Sequence, residues 1–158
     1  MIVAPDPGGG SQLVHGSSVA VATTSGWQGA LILGRSGAGK SELAMEMIGL
    51  GARLVADDQT RLIAANGAVL LEAPNTIAGL IEIRGMGLLQ VDYVAQARLR
   101  LVVDLDQAET ERLPPARQRE IMRHAIPLLR RCSSRAFAAG LMQYLRMPDT
   151  VARQERTE

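Results

Sequence analysis

The 158-residue chain has the length of one domain, and its composition, 47% hydrophobic and 21% charged, is that of a globular protein. A net charge of +1, an aromatic content of 3% and the lack of a long apolar run exclude obvious nucleic-acid and membrane partners. The single cysteine cannot form an internal disulfide, and no secretory signal begins the chain. These features predict a cytoplasmic protein.

The sequence composition divides the chain into three predicted regions. Residues 1–12 are rich in proline and glycine and predict a flexible head. Residues 13–148 predict a single domain, and residues 149–158 predict a frayed tail. No internal repeat is visible.

The first part of the domain predicts a strand–helix–strand unit. Residues 17–23 alternate and are rich in β-formers, which predicts a strand, and residues 25–29 predict a turn. The continuously apolar run 30–33 is typical of a buried strand. An amphipathic helix is expected over 41–50, and a short strand over 53–56 ends on two aspartates.

The middle of the chain predicts more strands. Runs 60–65 and 67–72 lie on either side of an Asn-Gly pair beginning at Asn66, which predicts a β-hairpin with a type I′ turn. The segment 81–91 is apolar but interrupted by glycines, so it predicts a short strand or a loop near a site. Residues 97–105 alternate and then become apolar, which predicts a strand.

The last part of the chain is more polar. The charged, proline-containing segment 109–123 is the only candidate for a mobile lid, and His124 is expected on a charged helix. A terminal helix is expected over 134–147, capped by Ser133 or Ser134.

A phosphate-binding motif follows the apolar strand. Residues 34–41 fit the P-loop pattern G-x-x-x-x-G-K-[ST], between a predicted strand and a predicted helix. Its glycines allow backbone N–H groups to surround a phosphate, while the helix adds its positive end. The lysine of the motif, Lys40, is the only lysine beside 16 arginines. The predicted nucleotide-binding residues are Gly34, Arg35, Ser36, Gly37, Ala38, Gly39, Lys40 and Ser41.

Phosphoryl transfer also needs a base or water-orienting group and acidic metal ligands. Asp57 and Asp58 follow a predicted strand and are expected beside the phosphates, at the carboxyl edge of the sheet. Asp104 follows another apolar strand and resembles a Walker B aspartate. A turn pair is the alternative explanation for Asp57 and Asp58, and a solvated strand end is the alternative for Asp104.

Five motifs in order resemble the catalytic domain of the bacterial HPr kinase/phosphorylase, particularly the short α-proteobacterial form. The resemblance rests on His15-Gly16, 34–42 (GRSGAGKSE), 53–58 (RLVADD), 81–91 (IEIRGMGLLQV) and 111–113 (ERL). It implies a P-loop α/β fold, with a mixed sheet, flanking helices and a phosphoenolpyruvate carboxykinase-like architecture. It also implies ATP and Mg²⁺ as cofactors, HPr or an HPr-like phosphocarrier as the protein partner, and a homo-oligomer, by resemblance a hexamer.

The resemblance implies roles for individual residues. Asp57 would take the proton from the target serine, and in reverse would donate one, with His15 close to it. Ser41 and Glu82 would hold Mg²⁺. The residues implied in catalysis are Asp57, His15, Lys40, Arg84 and Arg112.

The chain departs from the family in its late region. The family's Pro-Gly-Arg-Asn loop, tied to the phosphorylase direction, is missing, and residues 126–131 (IPLLRR) occupy that region. The resemblance therefore predicts kinase activity more strongly than phosphorylase activity. Two alternatives stay open: a P-loop kinase of small molecules, with 109–123 as its lid, and a nucleotide-sensing module without catalysis.

Overall fold

The computed structural model describes residues 2–74 and 77–147, and the predicted tail 149–158 lies outside these ranges. Within them, short strands dominate and two helices cover the sheet. The elements are β1 (Ser11–Thr23), β2 (Gly26–Leu33), α1 (Lys40–Gly49), β3 (Arg53–Ala56), β4 (Gln59–Ala65), β5 (Ala68–Glu72), β6 (Leu80–Ile83), β7 (Gly87–Gln90), β8 (Ala97–Ala108), β9 (Gln118–Ile121), β10 (His124–Arg131) and α2 (Phe137–Arg146).

The main sheet is mixed and closes on itself. Its strands lie in the order β2-β1-β4-β5-β8-β10-β9, with β3 on β1, and β8 also pairs in parallel with β2. β10 extends the sheet by a second parallel pairing with β8, while the remaining pairs are antiparallel. β6 and β7 form a separate hairpin. The predicted mixed-sheet α/β class is confirmed.

Two apolar cores lie on opposite faces of this sheet. One core packs both helices against the sheet and contains Ile32, Met47 and Leu141; the other lies inside the closed sheet and contains Leu31 and Leu62. Neighbouring residues of β2 thus enter different cores, because successive side chains of a strand point to opposite faces. That explains why β2 is apolar without alternation.

The strand–loop–helix unit and the central hairpin match the sequence expectations closely. α1 begins one residue before the predicted helix, and β3 has the predicted bounds. β4 and β5 form the predicted hairpin, and its turn residues Asn66 and Gly67 have φ values of 53° and 73°. Positive φ at both central positions is what a type I′ turn requires.

The beginning of the chain differs from the prediction. β1 starts at Ser11, so it includes the last two residues of the predicted head, and β2 starts at Gly26, within the predicted turn. Trp27 pairs with Ala22 across the ladder. Long strands form here because β1 contacts β4 through its first half, and β2 and β3 through its second. Such pairings between distant segments leave little local signal.

The end of the described chain also differs. His124 was expected on a helix, but it begins β10, which pairs in parallel with β8. Residues 118–121, within the candidate lid, form β9. α2 starts at Phe137, three residues later than predicted, and the Ser134 hydroxyl accepts a hydrogen bond from the N–H of Ala136 in the preceding turn. No helix in the described ranges is long and apolar enough to cross a membrane.

Candidate active site

The P-loop joins the end of β2 to the start of α1. Gly37 and Gly39 have φ values of 85° and 102°, a region that side-chain-bearing residues rarely adopt. The N–H of Arg35 donates to both carboxylate oxygens of Asp106, at 3.0 and 3.2 Å. The carboxylate at the end of β8 thereby fixes the start of the loop, a role that sequence reasoning did not assign to Asp106.

Lys40 lies inside this loop. Only 7% of the residue is exposed, and its Nζ donates to the carbonyl oxygens of Gly34 at 2.7 Å and Arg35 at 3.0 Å. An ammonium has three N–H donors, so one remains for a phosphate oxygen. The compact side chain thus braces the loop and can still contact an anion.

Asp57 connects three parts of the site. Its Oδ1 accepts hydrogen bonds from the hydroxyls of Ser17 (2.8 Å) and Ser41 (2.7 Å), and its Oδ2 accepts one from the N–H of Glu82 (3.0 Å). The residue is only 7% exposed. Both oxygens are therefore engaged in holding β1, the P-loop serine and β6 together.

Asp58 differs from its neighbour. It has a φ of 65°, and its side chain is 69% exposed. Its Oδ1 lies 2.7 Å from Nε2 of His15, whose side chain is 53% exposed. A positive φ outside glycine costs free energy, and such backbone positions are concentrated at functional sites. Here it places an accessible carboxylate–histidine pair beside the P-loop.

The β6–β7 hairpin supplies the remaining charged groups. Glu82 lies on β6, and Arg84 follows in the turn, where Gly85 and Gly87 have φ values of 91° and 102°. The glycines that interrupt the predicted strand are thus explained by a tight turn. Through Glu82, the hairpin is joined to Asp57 by the hydrogen bond from the backbone N–H.

A cavity of about 120 Å³ lies over the P-loop and brings most of the predicted site together. Two of its lining residues are cationic, Lys40 and Arg84, and three are acidic, Glu42, Asp58 and Glu82. The lining residues are Ser36, Gly37, Gly39, Lys40, Ser41, Glu42, Asp58, Glu82 and Arg84. The cavity thus combines a glycine-rich loop, hydroxyl and carboxylate oxygens and an accessible aspartate.

Two residues that the sequence analysis singled out for this site, Arg112 and Asp104, do not line the cavity over the P-loop. Arg112 is exposed in the segment between β8 and β9 and does not line this cavity. Asp104 lines a neighbouring cavity of about 680 Å³, and its Oδ1 accepts the N–H of Asp106 at 2.9 Å. That second cavity is also lined by His15, so the Asp58–His15 pair lies between the two cavities.

The segment considered as a lid is fastened at its ends. The N–H of Glu109 donates to the carbonyl of Arg131 at 2.8 Å, and the N–H of Leu128 donates to the carbonyl of Arg117 at 2.9 Å. Arg117 also pairs with the Glu109 carboxylate at 3.1 Å. These contacts tie 109–117 to β10, so this geometry gives no support to a swinging lid.

The pKa of Glu109 follows from these contacts. Burial raises it, but the backbone N–H of Glu111, the charge of Arg117 and the backbone N–H of Thr110 outweigh burial, so the pKa lies below its usual range. A carboxyl whose pKa is lowered on folding stabilises the fold above its unfolded-state pKa. The contribution is lost as the pH falls through the folded-state pKa.

We expect Glu109→Gln to remove this acid dependence. The wild type should lose its stability advantage over the variant as the pH falls from about 5 to about 3. Urea unfolding of both proteins across this range measures the difference in the free energy of unfolding. A difference that does not change with pH would contradict the assignment.

Comparison with known proteins identifies the family. The family model described as "HPr Serine kinase C-terminal domain" matches residues 10–128, which are 119 of the 158 residues. The chain belongs to the HPr kinase C-terminal domain family. The family resemblance noted from the sequence is therefore confirmed.

Individual relatives agree with this family assignment. The HPr kinase/phosphorylase of Bordetella pertussis is 42% identical over 98 residues, 54% of this chain and 32% of that protein. The protein of the same description from Clostridium acetobutylicum is 37% identical over 86 residues, 50% of this chain and 28% of that protein. The chain thus spans about a third of the length of these relatives.

A solved structure has the same fold. The Hpr(Ser) kinase/phosphatase from Coxiella burnetii matches with a TM-score of 0.67 and 23% identity, covering 92% of this chain and 91% of that one. The match confirms the predicted carboxykinase-like architecture with a mixed sheet and flanking helices.

The oxygen donors of this cavity suit a divalent cation of the kind that phosphoryl transfer uses. The Ser41 hydroxyl and the Glu82 carboxylate line one cavity, and the Asp57 carboxylate accepts the Ser41 hydroxyl at 2.7 Å. Mg²⁺ prefers such hard oxygen donors and usually takes one or two carboxylates together with substrate phosphates. The residues present therefore fit Mg²⁺.

Proposed function

We propose that this chain is an ATP-dependent kinase that phosphorylates a serine of HPr or of an HPr-like phosphocarrier. The observation that carries the proposal is the cavity over the P-loop, where the phosphate cradle and the accessible Asp58 carboxylate lie together. The family of the chain supports the same activity. The reaction transfers the γ-phosphoryl group of ATP to a serine hydroxyl and leaves ADP and a proton.

The P-loop residues would bind the nucleotide. Backbone N–H groups of 34–41 and the N-terminus of α1 offer donors and positive potential to the β- and γ-phosphates. The free N–H of Lys40 would contact these phosphates, while its other two donors hold the loop. Positioning and charge stabilisation of this kind supply most of the catalysis in phosphoryl transfer.

Ser41 and Glu82 would hold Mg²⁺, as the resemblance implied. When bound, Mg²⁺ would offset the negative charge of the nucleotide phosphates. Asp57 orients both ligands, because one oxygen accepts the Ser41 hydroxyl and the other accepts the N–H of Glu82. Arg84 lines the same cavity and would steady the transferred group.

Asp58 is the better-supported proton acceptor of the two aspartates. The resemblance implied Asp57, but Asp57 is buried and accepts three hydrogen bonds. Asp58 is accessible, and its contact with His15 gives the accepted proton a hydrogen-bonding partner. A general base must be within hydrogen-bonding reach of the proton it removes. The larger cavity beside His15 would admit the serine-bearing segment of a protein.

The cavity geometry does not support the role that the resemblance gives to Arg112. The resemblance implies that Arg112 stabilises the charge of the transferred phosphoryl group. Arg112 lines neither of the two cavities next to the P-loop. A contribution to the site of a second copy of the chain would reconcile these observations. The hexamer implied by the family resemblance and the cytoplasmic location predicted from the sequence belong to the same proposal. Light scattering tests the oligomeric state.

The decisive experiment is mass spectrometry of candidate acceptors after incubation with the purified protein, Mg²⁺ and ATP. Phosphoserine on HPr or an HPr-like carrier supports the proposal. Phosphorylation of small metabolites alone would identify a small-molecule kinase. Nucleotide binding with no transfer to any acceptor would instead identify a nucleotide-sensing module.

We expect the forward reaction to exceed phosphate-dependent dephosphorylation by a wide margin. The reverse reaction brings inorganic phosphate and phosphoserine together, and two such anions repel unless extra cations lie between them. The cavity lining supplies Lys40 and Arg84 against three carboxylates. Incubation of phosphoseryl-HPr with millimolar phosphate, scored for pyrophosphate, measures the reverse rate. Robust pyrophosphate release that is lost in Arg130→Ala or Arg131→Ala would contradict this expectation.

A further inference from the structure

A second group of basic side chains lies at the opposite end of β8 from the P-loop. Arg98 and Arg100 from β8 and His124 from β10 line a cavity of about 350 Å³. Arg98 precedes Asp104, at the P-loop end of the strand, by six residues, or about 20 Å at ~3.3 Å per residue. This cavity is therefore separate from the proposed catalytic site.

The path of the strands creates this cavity. β5 pairs with β8 only at Ala97 and Arg98, whereas the β10 ladder joins β8 from Val102 onward. The register of β8 against β2 also shifts between Leu99 and Leu101, so Arg100 is an extra residue in the ladder. Residues 99–101 of β8 therefore pair with neither β5 nor β10, and the cavity lies between these two strands.

The charges in the cavity are uncompensated within the described chain. None of its lining residues is acidic, and neither arginine forms an ion pair or side-chain hydrogen bond with residues 2–74 or 77–147. Nδ1 of His124 lies 2.9 Å from the Met122 carbonyl and donates to it, which leaves Nε2 for another partner. Arg98 is exposed and Arg100 is half-buried, so both side chains are accessible to a small anion that enters the cavity.

We propose that this cavity binds a small organic dianion, and that a phosphate ester is its ligand. Guanidinium groups suit phosphate oxygens because several N–H donors lie in one plane. The apolar wall of Leu99, Ile126 and Pro127 accommodates the carbon part of such a molecule. A volume of about 350 Å³ is at the small end of ligand pockets and excludes a folded macromolecule.

Amide chemical shifts of the isotope-labelled full chain test the proposal. The probes are ribose 5-phosphate, inorganic phosphate and malonate, and the reporters are the amides of Leu99, Arg100 and Ala125. We expect saturable shifts with ribose 5-phosphate at concentrations of roughly 1 mM. Arg98→Gln combined with Arg100→Gln should weaken this binding at least about tenfold. Binding of malonate as tightly as ribose 5-phosphate would overturn the assignment of a phosphate ester as the ligand.

Matched variants separate this cavity from the P-loop. Arg53→Gln removes the same charge from an exposed position on β3 and should leave the affinity unchanged. Lys40→Ala should abolish probe-induced shifts at Gly37 and Gly39 while retaining those at Leu99. His124→Gln gives a second, milder test if the double variant does not fold. No saturable shift with any probe, or equal weakening by Arg53→Gln, would overturn the proposal.

Discussion

Replacing Lys40 with arginine is expected to reduce phosphoryl transfer by roughly 10²–10³-fold, although the positive charge is retained. Nζ is buried between two carbonyl oxygens at 2.7 and 3.0 Å. A planar guanidinium is too wide for this position and cannot serve as a compact charge on the phosphates. The chain uses arginine at its other 16 basic positions, so this lysine is a specific test of the loop. Transfer of radiolabelled phosphate from ATP to HPr measures the effect.

The opposite substitution, arginine to lysine, at position 35 of the same loop provides the control. Arg35 is exposed, and its contacts to Asp106 come from the backbone N–H, so Arg35→Lys should leave transfer nearly unchanged. Thermal unfolding of both variants shows whether the fold survives. Activity of Lys40→Arg within about threefold of the wild type would exclude the assigned role of the lysine.

Replacing Asp58 with asparagine is expected to retain ATP binding and to lose serine phosphorylation by roughly 10²–10⁴-fold, the usual scale for a general base. An amide cannot accept the serine proton, yet it has the shape of the carboxylate and retains an oxygen toward His15. The readouts are the dissociation constant for ATP and the rate of transfer to HPr. Only the second should change.

Asp57→Asn should give a different result. Three donors converge on the Asp57 carboxylate, from Ser17, Ser41 and Glu82. An asparagine places an NH₂ group against at least one of them, which leaves a buried donor unpaired at a cost of about 1–3 kcal/mol. Stability and Mg²⁺-dependent nucleotide binding should therefore fall together with transfer. If Asp57→Asn instead loses transfer alone, Asp57 is the base, as the resemblance implied.

The sequence by itself determined the parts that local rules control. The loop 34–41 needs glycine at positive φ and a strand and helix beside it, so its pattern is visible over a few residues. The hairpin around Asn66 is equally local, because an Asn-Gly pair fits the left-handed backbone that its turn requires. The family motif around Glu82 and Arg84 placed both residues near the P-loop, and they line its cavity.

Only the tertiary structure distinguished Asp57 from Asp58. The two residues are adjacent, but Asp57 contacts Ser17, 40 positions away in the sequence, and Asp58 contacts His15, 43 positions away. Local sequence likewise did not predict β10, because its strand conformation depends on pairing with β8. Hydrogen bonds between distant segments leave no local periodicity, so the sequence determined the chemistry of the site, and the folded chain decided which aspartate is accessible.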